Sequence, residues 1–241
     1  MIISHKYKFI FIKPIKVAGT SVEVALAKHC GNEDIVTPIT KYSKFSDEDE
    51  YFHSPINYEG YYNHIPPRKI KEKIGNKIWD NYIKFTIVRN PWDLIVSRYY
   101  WRRPIKRNLI THLYEIKESI LNPKFYIAAL KICAQYLMFY NFKYYINNSY
   151  EDLTNTRFYF DSKEKPICDF YIRYEYLEQD YEKVCKRIGI PYEKLPLTKT
   201  KHRKNKLNYS RFYNKDTQNL IHKLFKKDID FFKYKFENNT K

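Results

Sequence analysis

The stretch from Phe9 to Glu23, F-I-F-I-K-P-I-K-V-A-G-T-S-V-E, constrains this chain more than any other. It opens as an apolar, aromatic run of strand character, turns at Pro14, and enters a helix through small and hydroxyl residues, Ala18, Gly19, Thr20 and Ser21. A helix start carries unpaired backbone N–H groups and a partial positive charge. Gly19 lets the backbone come close to a ligand, Thr20 and Ser21 add donors, and Lys16, followed by Val17, supplies a full charge just upstream. This is the chemistry of a phosphate or sulfate cradle. It differs from the nucleotide loop G-x-x-x-x-G-K-[ST], in which Lys stands directly before the hydroxyl residue. Strand-turn-helix corners with Lys, Gly and Ser also occur as plain scaffold, so this segment alone leaves both readings open.

A second stretch shifts the balance. Ile83-Lys84-Phe85-Thr86-Ile87-Val88 is another β-rich run, followed at once by Arg89-Asn90-Pro91-Trp92-Asp93. Asn is favoured at a helix N-cap and Pro at the first helical position, so a helix is expected to start here and run through Tyr100. Arg89 then stands at a strand's carboxyl end, and Ser97 lies two turns into the helix. Two strands feeding two helices, each with an anion-binding group at the strand's end, is the arrangement in which open α/β sheets bind ligands.

The residues K-V-A-G-T-S-V-E resemble the 5′-phosphosulfate loop of PAPS-dependent sulfotransferases, P-K-T-[AG]-G-T-[ST]. V-R-N-P-W-D-L-I-V-S-R-Y-Y resembles their 3′-phosphate motif, R-[ND]-P-x-[DE]-x-x-x-S-x-[FY], with Arg89 and Ser97 eight residues apart as the family has them. Two departures stand in the loop: Ile15 holds the place of the usual proline, and Val17 that of the usual threonine. The resemblance implies an α/β fold with a P-loop-like central parallel sheet flanked by helices, and further helices around an acceptor cleft. It implies 3′-phosphoadenosine 5′-phosphosulfate (PAPS) as sulfuryl donor and 3′,5′-ADP (PAP) as product, without a metal. Lys16, Val17, Ala18, Gly19, Thr20 and Ser21 would hold the phosphosulfate, with Lys16 also catalytic; Arg89 and Ser97 would hold the 3′-phosphate.

Transfer to a hydroxyl needs a base, and histidine titrates nearest neutrality. His64 lies between the two motifs, 25 positions ahead of Arg89, the interval in which related oligosaccharide sulfotransferases carry a catalytic histidine. It is the expected base, against the plainer reading of a loop histidine and the alternative of a carboxylate base. His5 and His53 have no site-like neighbours in sequence. The late segment I-R-Y-E-Y-L-E-Q-D-Y resembles a strand-to-helix segment of the family, with Glu and Asp as structural groups and a helix ending at Gly189. Between Leu195 and Lys215, Lys199, Lys201, Arg203, Lys204, Lys206, Arg211 and Lys215 form a basic run that could cover donor or acceptor, or be simply solvated.

Composition adds limits. A length of 241 residues suits one α/β domain spanning 1–241. The net charge of +17 fits anionic ligands; nucleic acid is the less favoured partner. Cys30, Cys133, Cys168 and Cys185 form no C-x-x-C pair, as expected of a reduced, cytoplasmic protein without a zinc or redox motif. A membrane span would need ~18 consecutive apolar residues, and none is encoded; a signal peptide is not expected either. A first helix is expected from about Thr20 to Cys30, and a short one from Arg68 to Lys73 ending near Gly75. Between them the acidic run Asp47 to Glu50 reads as a solvated loop. Helices are expected over Leu109 to Tyr145, with Ile127, Leu130, Cys133, Ala134 and Leu137 on one stripe. A strand is expected over Pro166–Arg173. A closing helix would turn Leu220, Leu224 and Ile229 inward, with Phe232 and Phe236 anchoring the tail.

Two other classes remain open at this level: a P-loop kinase, which would need a metal-binding carboxylate, and a non-catalytic basic module binding nucleic acid or glycan. The acceptor could be a glycan, favoured by the histidine between the motifs, or a lipid, small alcohol or amine. The sequence does not specify the oligomeric state.

Overall fold

Phe9–Phe11 (β2) and Ile83–Val88 (β4) lie side by side as parallel strands, Phe11 opposite Phe85. In this computed structural model, which describes residues 1–39, 53–102, 141–148, 153–196 and 207–237, they form the middle of a five-stranded sheet. Its order is β3-β1-β2-β4-β5, with β1 at Ile2–Ser4, β3 at Ile35–Val36 and β5 at Phe170–Arg173. The strands β2, β4 and β5 are parallel, as expected for the sheet; β1 pairs antiparallel with both β2 and β3, so the sheet is mixed. The reason is length. Only His5 to Lys8 separate β1 from β2, and a short connection can return the chain antiparallel but cannot make a crossover.

Continuous apolar runs suit strands buried on both faces, and Phe9, Phe11, Phe85, Ile87 and Ile172 are all buried. The Phe85 ring meets Phe9 and Phe11 at centroid distances of 5.6 and 5.4 Å. Thr86 and Lys84 are the polar residues of β4; the Thr86 hydroxyl donates to the Ile12 carbonyl, and Lys84 solves its burial differently. Its ammonium leaves the apolar layer to donate to the carbonyls of Trp79 and Tyr82 and to pair with Asp169.

The chain divides into two compact units: Met1–Asn90, Asn155–Thr200 and Asp230–Lys233 form the first, and Pro91–Thr154, Lys201–Ile229 and Tyr234–Lys241 the second. The first holds the sheet with α1 (Gly19–Ala27), α2 (Pro67–Asn81) and a helix at Leu177–Ile188. Helix α1 is shorter than expected at its far end, since its C-cap is Lys28 rather than Gly31. Helix α2 is longer than expected. Gly75 does leave helical geometry, at φ 77° and ψ 165°, but helical turns resume beyond it because Trp79 has a buried place to fill. The Leu177–Ile188 helix stops at Gly189 in left-handed conformation, the usual glycine stop. An aromatic cluster of Tyr159, Phe160, Tyr171, Phe231 and Phe232 completes this unit.

The second unit contains α3 (Pro91–Arg102), α4 (Phe142–Asn147), a single 3₁₀ turn at Tyr209–Phe212 and a helix at Lys215–Leu224. With Leu177–Ile188 numbered α5, the last is α6, and α7 spans Lys226–Phe232. Trp92 donates to the Gln218 carbonyl, and Phe236 packs edge-on to Trp92, Tyr209 and Tyr213. In α6 the inward face is one residue out of phase with expectation. Asn214 and Thr217 form a reciprocal cap that sets the helix start, and Thr217, Ile221 and Phe225 then take the core while Leu220 and Leu224 are half-buried. The acidic run at Asp47 to Glu50, the stripe from Ile127 to Leu137 and the lysines and arginine from 199 to 206 lie outside the described residues.

Candidate active site

The turn between β2 and α1 is held in an unusual shape. Lys16 and Ala18 both have φ 63°, a left-handed conformation in which a side chain is strained. Ala18, left-handed, followed by helical Gly19 orients successive N–H groups into one concavity, and α1 begins without a side-chain cap. The positive end of the helix thus faces the concavity.

Three interactions hold this turn. Below it, the Lys13 ammonium pairs with the Glu23 carboxylate, both side chains being buried. Glu23 also pairs with the Met1 amino group and accepts from Thr37. Burial alone would raise the Glu23 carboxyl; the Met1 and Lys13 charges outweigh it and hold it well below the usual carboxylate range. The Lys13 stem runs under the helix start so closely that a Cβ on Gly19 would sit 2.8 Å from Lys13 Cγ. Close approach is therefore why glycine stands there. At the near side, the Asn155 amide bonds both polar groups of Ile15: Nδ2 donates to its carbonyl at 2.9 Å and Oδ1 accepts from its N–H at 3.3 Å. At the far side, Arg89 Nη1 donates to the Lys16 carbonyl at 2.9 Å.

Arg89 stands at the end of β4, where sequence placed it, and is buried. Its guanidinium lies 3.9 Å from the centroid of the Tyr174 ring. Beside it the Asn90 N–H donates to Glu175 Oε1 at 2.6 Å. The two basic corners are thus brought together at the carboxyl ends of adjacent parallel strands, close enough for a hydrogen bond between them.

His64 reaches the same loop. Its Nδ1 is 3.0 Å from the Lys13 carbonyl. A carbonyl can only accept, so Nδ1 carries the proton and Nε2 keeps its lone pair. Burial and the neighbouring Lys13 ammonium pull the imidazole down to about 4, which makes it neutral at physiological pH. His64 has φ 61°, so its backbone too is left-handed. His53, which sequence set aside, has a buried Nε2 without a hydrogen-bond partner among the described residues, and burial lowers its proton affinity. His5 bonds the Tyr82 hydroxyl and belongs to the scaffold.

Of the remaining expected residues, Val17 is fully buried and anchors the turn, and Ser21 is buried while Thr20 is half-exposed. Ser97 lies half-buried on α3, in the second unit. Arg173 donates to the Phe232 carbonyl, and its N–H is taken by Asp180, so both act in the scaffold. Sequence reasoning missed Asn155 and Tyr174 altogether and gave Glu175 and Lys13 no role in shaping the corners. Asn155 carried no local signal. For Lys13 a signal existed: a lysine in an otherwise apolar strand end, ten residues before a glutamate on the following helix.

The model of the Sulfotransferase family matches residues 1–235, a span that runs through both units. An uncharacterized protein of Archaeoglobus fulgidus is 32% identical over 129 residues, covering 54% of this chain and 86% of that protein. No solved structure matches. With its strand-loop-helix corner, the arginine at the neighbouring strand end and a family match over nearly its whole length, this chain belongs to the sulfotransferase family.

Proposed function

We propose that this protein transfers a sulfuryl group from PAPS to an acceptor hydroxyl, with a carbohydrate as the acceptor class. The observation that carries the reading is the hydrogen bond from Arg89 to the Lys16 carbonyl. It puts the guanidinium suited to a 3′-phosphate next to the loop suited to a phosphosulfate, so one nucleotide can meet both. The residues fit such a donor chemically: a left-handed turn opening onto an uncapped helix start for the 5′ end, and a planar, charged fork for the 3′-phosphate.

In this reading Lys16 and the backbone N–H groups of Ala18 to Ser21 hold the phosphosulfate and stabilise charge growing on the leaving phosphate oxygen. Arg89 holds the 3′-phosphate and sets this donor apart from ATP. His64 takes the acceptor's proton on Nε2 while Nδ1 stays fixed on the Lys13 carbonyl. An anionic donor at Lys16 offsets the field of Lys13 and lifts the imidazole's proton affinity toward that of a working base. The protein's contribution is positioning and electrostatics, by analogy with phosphoryl transfer. The chain 1–241 is read as a single sulfotransferase domain, a reading supported by a family match over residues 1–235.

The test is binding followed by transfer. Isothermal titration should show 3′,5′-ADP binding in the presence of a chelator, and radiolabelled PAPS should label a member of a panel of saccharides, lipids and phenols. Magnesium-dependent ATP binding with no affinity for 3′,5′-ADP would overturn the reading.

A further inference from the structure

We propose that Asn155 is a positioning residue for the phosphosulfate loop, its buried carboxamide gripping the peptide groups of Ile15 so that Lys16 keeps its left-handed backbone. The inference rests on the reading of Lys16 given above and extends it to a residue 140 positions beyond Ile15 in the chain.

Asn155 is fully buried. It occupies the N-cap position of a 3₁₀ turn at Thr156–Phe158, where an asparagine ordinarily caps its own helix, yet its side chain makes no cap bond there. The amide turns instead to Ile15, presenting its acceptor to the N–H and its donor to the carbonyl of the same residue. That pair of bonds reproduces what a neighbouring strand would offer. Among side chains of this size only a carboxamide provides both halves, since a carboxylate lacks the donor. The grip falls on the residue directly before Lys16, whose φ of 63° an unrestrained chain would not hold. Arg89 fastens the next carbonyl, that of Lys16 itself. The strained turn is therefore pinned at successive residues, and Asn155 supplies the pin that does not also face the ligand's 3′ end.

A loop positioner differs from a scaffold residue in which part of a ligand notices its loss. The affinities of adenosine 3′,5′-bisphosphate and adenosine 3′-phosphate, measured by calorimetry, isolate the 5′ group as a ratio that does not depend on the fraction of protein folded. Lys16→Ala should lower that ratio. Asn155→Ala and Asn155→Ser should lower it about tenfold, the scale of a lost buried amide grip, while leaving adenosine 3′-phosphate binding within about twofold. Asn155→Asp, which keeps only the acceptor, should fall between them and the parent. An unchanged ratio in a folded Asn155 variant, with Lys16→Ala lowering it, would overturn this inference and leave the functional reading standing. An unchanged ratio in Lys16→Ala would overturn the reading beneath it. If all three Asn155 variants fail to fold, the residue belongs to the core and the positioning role is lost.

Discussion

The two strand-loop-helix corners share a topology and differ in what they leave available. At the end of β2 the chain twists through left-handed Lys16 and Ala18, and α1 starts without a side-chain cap, so the backbone itself is offered. At the end of β4 the Asn90 N–H goes to Glu175, and Pro91 has none to give. The Arg89 side chain there is stacked on Tyr174 and donates to the Lys16 carbonyl. In the proposed function one corner recognises through main-chain donors and a lysine, the other through a single guanidinium. A group whose charge changes during reaction is best met by fixed dipoles and a point charge, whereas a group that only needs to be recognised suits a planar fork.

The sharpest way to break this contrast is Lys16→Ala. If the first corner stabilises the leaving oxygen, turnover should fall by about two to three orders of magnitude, the cost of removing a preorganised donor. Affinity for 3′,5′-ADP should fall far less. Steady-state rates with the first acceptor found, beside calorimetry of the product nucleotide, separate the two effects. A variant with normal turnover would remove the distinction.

Arg89→Ala should do the opposite, weakening 3′,5′-ADP binding by about ten- to a hundredfold through loss of a charge-assisted contact. Arg89→Lys should recover little of it, because an ammonium neither stacks on Tyr174 in the same way nor reaches the Lys16 carbonyl and a phosphate at once. Full recovery by lysine would mean that the second corner reads charge alone.

The difference between the corners also explains what could be read from sequence. The places of Gly19 at a helix start and of Arg89 at a strand end were legible because the signals that set them are local. The apolar runs of β2, β4 and β5 were legible for the same reason, as was Gly189 as a stop. What holds the corners was not. Asn155 reaches Ile15 from far along the chain, and nothing in its own neighbourhood distinguishes it from a loop residue; Glu175 was legible as a structural group of its strand-to-helix segment, but not as the acceptor for the distant Asn90 N–H. The buried Lys13–Glu23 pair needed the strand and helix to be placed before it could be seen. Helix phase slipped for a subtler reason. In α6 the leucines at 220 and 224 and the apolar residues at 221 and 225 fit a stripe equally well, and only the cap at Asn214 decides between them.

His64 connects to the first corner through Lys13 and tests its electrostatics. In the folded protein the imidazole titrates near 4, below the ~6.5 of an unfolded chain. Between those values the unfolded chain binds a proton that the folded one refuses, so stability is lost as pH falls through this window. His64→Asn tolerates the left-handed backbone at this position and removes the titration. The melting temperature of the variant should therefore drop less than the parent's between pH 6.5 and pH 4, while the two differ little above pH 7. Parallel curves would mean that His64 is not held neutral beside Lys13.

The smallest expected effect lies at Tyr174. Its ring backs the Arg89 guanidinium at 3.9 Å and carries no charge of its own, so it can act on a ligand only by keeping that fork in place. A cation over an aromatic face contributes roughly 0.5–1 kcal/mol at a partly exposed site. Tyr174→Leu should accordingly weaken 3′,5′-ADP about two- to fivefold, and Tyr174→Phe should restore it, since the hydroxyl is not part of the stack. The effect should vanish in an Arg89→Ala background, because the tyrosine then has no guanidinium to support. A loss of the same size in both backgrounds would show Tyr174 touching the nucleotide directly, and the second corner would then read a ring or a sugar as well as a charge.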